Sequence, residues 1–322
     1  MIKVAVISGG YSGESIISAR SAAMVMANID RGRFDPVQIY IDRQEWVALS
    51  DGERVQIDRN DFSWIQGGQK QRCDIAFIMI HGSPGEDGLL QGYLQMQGIP
   101  FTTGDVLSMA LTFDKAATKA VLAHHGFRTA PYVLVPRNDV YSVSGIIDRL
   151  GLPCFVKPNR GGSSFGATKV KRAEDLQQAI EKALGDDGQA LVETFLPATE
   201  LTCGVIPFRG EPRSLPLTEI VSHKEFFDFE AKYQGASEEI TPARIEPGMY
   251  SDIQRQAERI YRLLNCKGMI RVDFLISNGM AYMMEVNAVP GFSEQSIIPQ
   301  QAGVEGISKK ELISMLIESA LV

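Results

Sequence analysis

Two short segments near the C-terminal end carry the side chains best suited to chemistry, Arg271-Val-Asp273 and Met284-Glu-Val-Asn287. Residues two apart on a strand share a face, so Arg271 points with Asp273, and Glu285 with Asn287. If the segments pair as a hairpin across Ser277-Asn-Gly279, one guanidinium, two carboxylates and an amide oxygen converge. Oxygen-only ligands suit Mg²⁺ rather than zinc or copper, and magnesium completes its shell with nucleotide phosphates and water. Interleaved Ile, Val, Phe and Met residues put the opposite face in a core. Taken alone, the polar residues fit a charged, solvated hairpin face equally well. Register separates the two cases. A plain two-residue loop at Asn278-Gly279 opposes Asp273 to Met284 and turns Glu285 to the other face. A three-residue loop, or an equivalent bulge, opposes Asp273 to Glu285 and Arg271 to Asn287. The expectation is the second arrangement.

Three further constellations precede this one. In Lys157-Pro-Asn-Arg-Gly-Gly-Ser-Ser-Phe-Gly166, small residues let backbone N–H groups approach phosphate oxygens, and Lys157 supplies a fixed positive charge. The GxxxxGK[ST] spacing of a P-loop is absent, and a surface turn stays open as an alternative. His81-Gly-Ser-Pro-Gly-Glu-Asp-Gly88 sets polar groups at the mouth of a sheet, with His81 either a positioning residue or a structural one. Glu14 follows Ser8-Gly9-Gly10-Tyr11-Ser12-Gly13 at a similar turn, where pairing with a helix N-terminus would also explain it. The glycine spacing there does not match GxGxxG. Finally, Phe226-Phe-Asp-Phe-Glu-Ala-Lys232-Tyr233 reads as an edge strand or as a lid that excludes water.

The elements that must hold these residues follow from hydrophobic patterning. Lys3–Ile7, Val37–Ile41 and Asp74–Ile80 read as buried strands, alternating with helices over Ser18–Ala27 and Leu89–Gln97. That alternation indicates a mostly parallel sheet with ligands at its carboxyl ends. A helix over Thr112–His125 opens a second unit, with helices at Val143–Arg149 and Glu174–Leu184. Its strands, Cys154–Lys157, Ala167–Val170 and Ala190–Glu193, suit an α+β sheet. A third unit holds a helix over Ser251–Leu264, the hairpin, and a closing helix over Lys309–Ala320. The fold class is therefore α/β and α+β, divided into 1–104, 105–193 and 194–322.

Composition narrows the function. With 322 residues, 44% hydrophobic and 22% charged, the chain has the make-up of a globular protein of two or three domains. The net charge of −7 comes with no basic stripe, which argues against nucleic acid as a partner. The four cysteines are scattered without zinc-ligand spacing and read as reduced core thiols. No signal peptide or membrane span is legible, so no membrane is expected as a partner and the expected location is cytoplasmic.

In this order, the motifs resemble the D-alanine–D-alanine ligases of the ATP-grasp superfamily. The resemblance runs through Ser8-Gly-Gly…Glu14, His81-Gly…Gly85-Glu-Asp-Gly…Gln91-Gly, Phe113-Asp-Lys115 and Lys157-Pro…Gly162-Ser-Ser-Phe-Gly166. It continues through Glu200-Leu-Thr, Glu230-Ala-Lys-Tyr233, Arg271-Val-Asp273 and Glu285-Val-Asn287…Pro290-Gly291…Ser296. It implies an ATP-grasp architecture with an N-terminal parallel-sheet domain, a central α+β domain and a C-terminal mixed-sheet domain. It also implies ATP-dependent ligation of two D-alanines through an acyl phosphate, for peptidoglycan precursor synthesis, by a homodimer. Lys115 and Lys157 would hold ATP phosphates, Glu193 to Leu196 the adenine, and Glu200 the ribose. Asp273, Glu285 and Asn287 would bind two Mg²⁺ ions, with Mn²⁺ as a substitute. Glu14 would orient the amino group of the first D-alanine. Ser296 and Lys232 would hold the second carboxylate, with His81, Ser163 and Tyr233 completing the polar site. Arg271 and the Gly291 N–H would stabilise the oxyanion.

Three positions depart from the family pattern. Ser15 stands where His is common, Ala288 where Thr is common, and Gly161 where Glu is usual. The rival readings are a D-alanine–D-lactate ligase, another ATP-grasp carboxylate–amine ligase, and a nucleotide-binding regulator without turnover. The Lys232-Tyr233 pair favours the dipeptide over D-lactate, Glu14 and Ser296 favour D-alanine over other substrates, and intact Arg271, Asp273 and Glu285 favour an enzyme.

Overall fold

The computed structural model describes residues 1–50, 52–161, 167–222 and 237–321. Five strands form the first sheet: β1 (Ile2–Gly9), β2 (Phe34–Ile41), β3 (Trp46–Ser50), β4 (Glu53–Gln56) and, after a small β5 (Trp64–Gln66)–β6 (Gln69–Gln71) hairpin, β7 (Ile75–Ile78). Their order is β4-β3-β2-β1-β7. The three strands read from apolar runs are parallel, as expected, while β3 and β4 extend the sheet antiparallel. Helix α1 (Ser15–Asn28) covers one face, and α2 (Leu89–Met96) helps cover the other.

The stretch expected as one helix over Thr112–His125 is two helices, α3 (Val106–Phe113) and α4 (Lys115–His124). Asp114 is the reason. Its backbone is extended (φ −88°, ψ 102°), and its carboxylate accepts from the Ala117 N–H, capping α4. The break makes Lys115 the first residue of α4 and puts Lys119 one turn behind it. The second sheet has the order β10-β9-β11-β8, all antiparallel. Its strands are β8 (Tyr132–Pro136), β9 (Cys154–Pro158), β10 (Thr168–Val170) and β11 (Gln189–Thr194). One face packs on α5 (Val143–Leu150) and α6 (Leu176–Asp187) through Val135, Val156, Ala190 and Val192. The alternate residues, Phe155, Lys157, Leu191 and Glu193, must face the other way.

The third sheet comprises β12 (Thr199–Phe208), β13 (Glu211–Ser214), β14 (Thr218–Ser222), β15 (Ser237–Ile240), β16 (Ile270–Ser277) and β17 (Met280–Asn287). Expected as a mixed sheet, it has its strands antiparallel to one another at every described pairing, with a parallel contact only at the isolated Thr129–Met283 bridge among the described residues. Val272, Phe274, Leu201 and Cys203 turn one face onto α7 (Pro247–Leu263). Two helices follow, α8 (Ile297–Val304) and α9 (Lys309–Ala320); α9 returns to pack beside α1 on the first sheet.

The turn after β1 places the first-sheet end of the site and depends on Gly9. Its φ is +108°, and a Cβ there would lie 2.2 Å from the Ile41 carbonyl oxygen. Its N–H donates to Ser18 Oγ on α1. Gly9→Ala should therefore combine backbone strain of about 1–3 kcal/mol with a steric clash. We expect a lowered urea midpoint with an unchanged m-value; an unchanged midpoint would mean the turn is not constrained this way.

Candidate active site

The hairpin of β16 and β17 has both features that were treated as alternatives. Its loop is the plain two-residue Asn278-Gly279, with Ser277 opposite Met280 and both loop residues at positive φ (51° and 70°), as a type I′ turn requires. The expected three-residue loop is not present. The register is instead corrected by a bulge: Phe274 pairs with Met283, but Asp273 pairs with Glu285, leaving Met284 as the extra residue. Arg271 opposes Asn287 as a result. Opposed residues have Cβ atoms about 5 Å apart, so the two carboxylates share one face at close range.

On that face Asp273 is almost fully buried and accepts from four directions. Arg271 clasps it with Nε to Oδ1 and Nη2 to Oδ2, both 2.8 Å. Thr202 Oγ1 donates to Oδ1 at 2.6 Å, and Asn287 Nδ2 to Oδ2 at 3.0 Å. Because Asn287 donates through nitrogen, its amide oxygen remains the acceptor for a ligand. Two carboxylates and one amide oxygen form a set of hard donors, which fits a cation that takes its other ligands from phosphate and water. Among the described residues, no three His, Cys, Asp or Glu side chains gather as a metal cluster of their own. Glu200 lies on the same face through the β12–β16 register, opposite Leu275.

Across from this face stand the lysines. Lys115 Nζ lies 3.9 Å from Glu285 Oε2 and donates to the Gly161 carbonyl at 2.5 Å. Asn159 anchors the start of the Gly-Ser loop by accepting the Ala116 N–H at the head of α4. Lys157 Nζ meets Glu193 Oε2 at 2.6 Å, and Lys119 Nζ meets Glu193 Oε1 at 2.7 Å. Burial alone would raise the Glu193 carboxyl, but the two ammonium groups outweigh it and hold it down to about 2. Burial pushes Lys115 below the usual lysine range. Leu196 sits half-buried in the connection from β11 to β12. A narrow pocket between the two sets is lined by Lys115, Gly161, Glu285, Asn287 and Glu86.

At the first sheet, Glu14 is buried at the head of α1, and Gly82 lies against it: a Cβ at Gly82 would be 3.2 Å from Glu14 Oε2. Neighbouring Glu86 accepts the Gly82 N–H at 2.6 Å; desolvation and the Glu14 charge push its carboxyl up to about 8. His81 is buried, and its Nε2 is 3.2 Å from Ser21 Oγ. Ser21 Oγ also accepts the Phe292 N–H, and the ring's other partner is the Val289 backbone. These bonds brace the turn that carries Gly291. Ser296, just before α8, accepts the Ser293 N–H through Oγ at 2.8 Å, and that Oγ lies 3.3 Å from where a Gly291 Cβ would stand. Ser163, Lys232 and Tyr233 lie outside the described residues.

Residues 3–104 match the family model described as D-ala D-ala ligase N-terminus, and residues 121–318 the one described as D-ala D-ala ligase C-terminus. The chain belongs to the D-alanine–D-alanine ligase family. A relative from Porphyromonas gingivalis, named D-alanine–D-alanine ligase, is 46% identical over 99% of this chain and 97% of its own length. Among solved structures, the VanG D-Ala:D-Ser ligase from Enterococcus faecalis has a TM-score of 0.88 at 32% identity, covering 100% of this chain and 99% of that one. The D-alanine–D-alanine ligase from Bacillus anthracis complexed with ATP has a TM-score of 0.81 at 26% identity, covering 100% and 98%. The ATP-grasp fold expected from the motifs is therefore that of this ligase family.

Three residues of the candidate site had no role assigned in the sequence reading. Thr202 stands in the Glu200-Leu-Thr motif, but its bond to Asp273 is set by strand register alone. Ser21 lies seven residues, or about two helical turns, after Glu14 and belongs to no quoted motif. Lys119 had the clearest signal, four residues after Lys115 on one helix face.

Burial and the nearby Arg271 charge, against the Val289 bond, lower the His81 pKa from 6.5 to about 4. Between those values the unfolded chain binds a proton that the folded chain does not. Stability should thus fall as pH drops through this window, by about 1.4 kcal/mol per unit at most. His81→Gln should remove that component, so wild-type and variant urea-unfolding curves should converge from pH 6.5 to 4.5. Parallel curves would show that His81 titrates equally in both states.

Proposed function

We propose that this chain joins two D-alanines into D-alanyl-D-alanine with hydrolysis of ATP to ADP and phosphate, as a step in making the peptidoglycan precursor. The observation that carries the reading is the junction of three surfaces. Lys115, from the head of α4, reaches Glu285 on the metal-donor face and Gly161 on the glycine loop, while Glu14 and His81 stand beyond Glu86. A nucleotide between the second and third sheets would meet Lys115 and Lys157 with its phosphates, Glu193 and Leu196 with its adenine, and Glu200 with its ribose.

Asp273, Glu285 and Asn287 would hold Mg²⁺, two ions in this reading or Mn²⁺ in their place. Bound there, the metal neutralises charge on the transferring phosphoryl group. Glu14 orients the ammonium group of the first D-alanine, presenting its carboxylate to the γ-phosphorus. One carboxylate oxygen forms the new P–O bond and ADP leaves, giving an acyl phosphate, which is a far better acyl donor than a carboxylate. The second D-alanine, held at its carboxylate by Ser296 and Lys232, attacks the carbonyl carbon through its amine. Arg271 and the Gly291 N–H face the oxyanion of the tetrahedral intermediate. Collapse expels phosphate and leaves the peptide bond. His81, Ser163 and Tyr233 complete the polar surroundings, from which water must be kept while the acyl phosphate lasts. The protein acts in the cytoplasm, as a homodimer.

The test is product analysis after incubation with Mg-ATP and D-alanine, L-alanine, D-serine or D-lactate. ADP, phosphate and D-alanyl-D-alanine should form only when D-alanine is present. Equal turnover with L-alanine, or AMP and pyrophosphate as products, would sink the reading. D-serine is included because the VanG enzyme is a D-Ala:D-Ser ligase; a mixed dipeptide as main product would reassign the second substrate.

Glu285 offers a sharper check. Its side chain is a fifth exposed and lies 3.9 Å from the buried Lys115 Nζ, so removing its charge should cost some stability, but less than the roughly 3–5 kcal/mol of breaking a fully buried pair. Glu285→Gln should abolish turnover while the chain still unfolds in one cooperative thermal transition. Retained turnover would remove Glu285 from the metal set.

A further inference from the structure

We propose that Lys119 is a positioning residue for nucleotide binding: it holds Glu193 as a charged side chain, so that Lys157 can turn from Glu193 to the phosphates. The inference rests on the assignment of Lys157 to phosphate made above. Glu193 bridges two ammonium groups, Lys119 on Oε1 at 2.7 Å and Lys157 on Oε2 at 2.6 Å. The two cations are not equivalent. The Lys119 side chain is 1% exposed and sealed beneath α4, whereas that of Lys157 is 17% exposed. Lys157 also stands on the sheet face opposite the α6 core, diagonal to Glu193 in the β9–β11 register. Only Lys157 has an open side from which to meet a ligand.

That asymmetry sets a sequence of partners. A buried carboxylate left without a cation is strongly disfavoured. Phosphate arriving at Lys157 would compete with Glu193 for the same ammonium group, and a Glu193 with no second cation would hold Lys157 back. Lys119 removes the competition, because it neutralises Glu193 before and after nucleotide binds. Among the described residues, Glu193 is the only carboxylate given as an ion-pair partner of Lys119. Two cations around one anion also leave this corner net positive, ready for a polyanion.

The experiment measures ADP and adenosine affinity by calorimetry, in Mg²⁺ buffer, for the full chain and for K119M, K119R, E193Q, K157M and the K119M/E193Q double variant. K119M should weaken ADP binding about 10-fold or more and adenosine binding much less, since the loss lies at the phosphates. K119R should stay close to wild type. Adding E193Q to K119M should recover part of the ADP affinity, because Lys157 is then released, whereas E193Q alone should weaken binding by leaving the buried Lys119 ammonium without its carboxylate and by altering the adenine contact. Such a reversal of sign is not expected of a lysine that merely fills space. Equal losses for ADP and adenosine, or additive losses in the double variant, would overturn the proposal while leaving Lys157 at the phosphates. If K157M binds ADP as wild type does, the phosphate assignment itself fails, and the proposal with it. Should K119M not fold, K119Q, which keeps a hydrogen-bonding end without the charge, replaces it in every comparison.

Discussion

Met284 is one residue more than the β16–β17 ladder can pair, and that surplus decides where Glu285 and Asn287 point. Side chains alternate along a strand, so an unbulged continuation from the Asn278-Gly279 turn would drive Glu285 into the core shared by Phe274, Met283 and Val286. The bulge shifts the alternation after Met283, without disturbing the apolar contacts nearer the turn. Asp273, Glu285, Arg271 and Asn287 then occupy one face while Val272 and Val286 stay in the core. The gathering of these four side chains on one face, which the proposed metal site needs, follows from this local departure.

A second constraint is electrostatic. Buried lysines persist only where carboxylates or ligands offset their desolvation. Lys115 has Glu285, and Lys119 and Lys157 share Glu193, so each cation of this cleft is tied to the sheet that opposes or flanks it. These pairs keep the positive groups in position before a nucleotide arrives, which is the preorganisation that phosphoryl transfer needs. On the acceptor side, the Phe292–Ser21–His81 chain of hydrogen bonds fixes the Gly291 turn from α1, the same helix that carries Glu14 at its head. The first sheet thus braces both Glu14, proposed to hold the substrate ammonium group, and the Gly291 N–H proposed to meet the oxyanion.

Much of this was legible in the sequence, and the failures have identifiable causes. Continuous apolar runs gave β1, β2 and β7, and the closing helix Lys309–Ala320 was read to the residue. Strands β4 to β6 are short, partly exposed and polar, and β3, though apolar, is only five residues long, so none carries a period strong enough to stand out. The joined helix over Thr112–His125 failed because Asp114 both permits helix and caps it. The turn at Asn278-Gly279 was visible from its residue types, but bulges depend on tertiary packing and have no marker of their own. Motif residues such as Glu14, Lys115 and Glu193 could be named from the order of motifs. Lys119 was signalled only by its place four residues after Lys115 and Ser21 by no motif, since their roles arise only when β11 and the Gly291 turn are brought against them.

All these features converge on one chemical claim, that a substrate carboxylate is activated by taking a phosphoryl group. Isotope transfer tests it directly. D-alanine carrying ¹⁸O in both carboxylate oxygens is incubated with unlabelled ATP, Mg²⁺ and the protein, and the released phosphate is analysed by mass spectrometry. Attack of the carboxylate on the γ-phosphorus predicts that each phosphate formed with the dipeptide carries a single ¹⁸O atom. Unlabelled phosphate alongside dipeptide formation would contradict the account, because the carboxylate oxygen would then have left by another route.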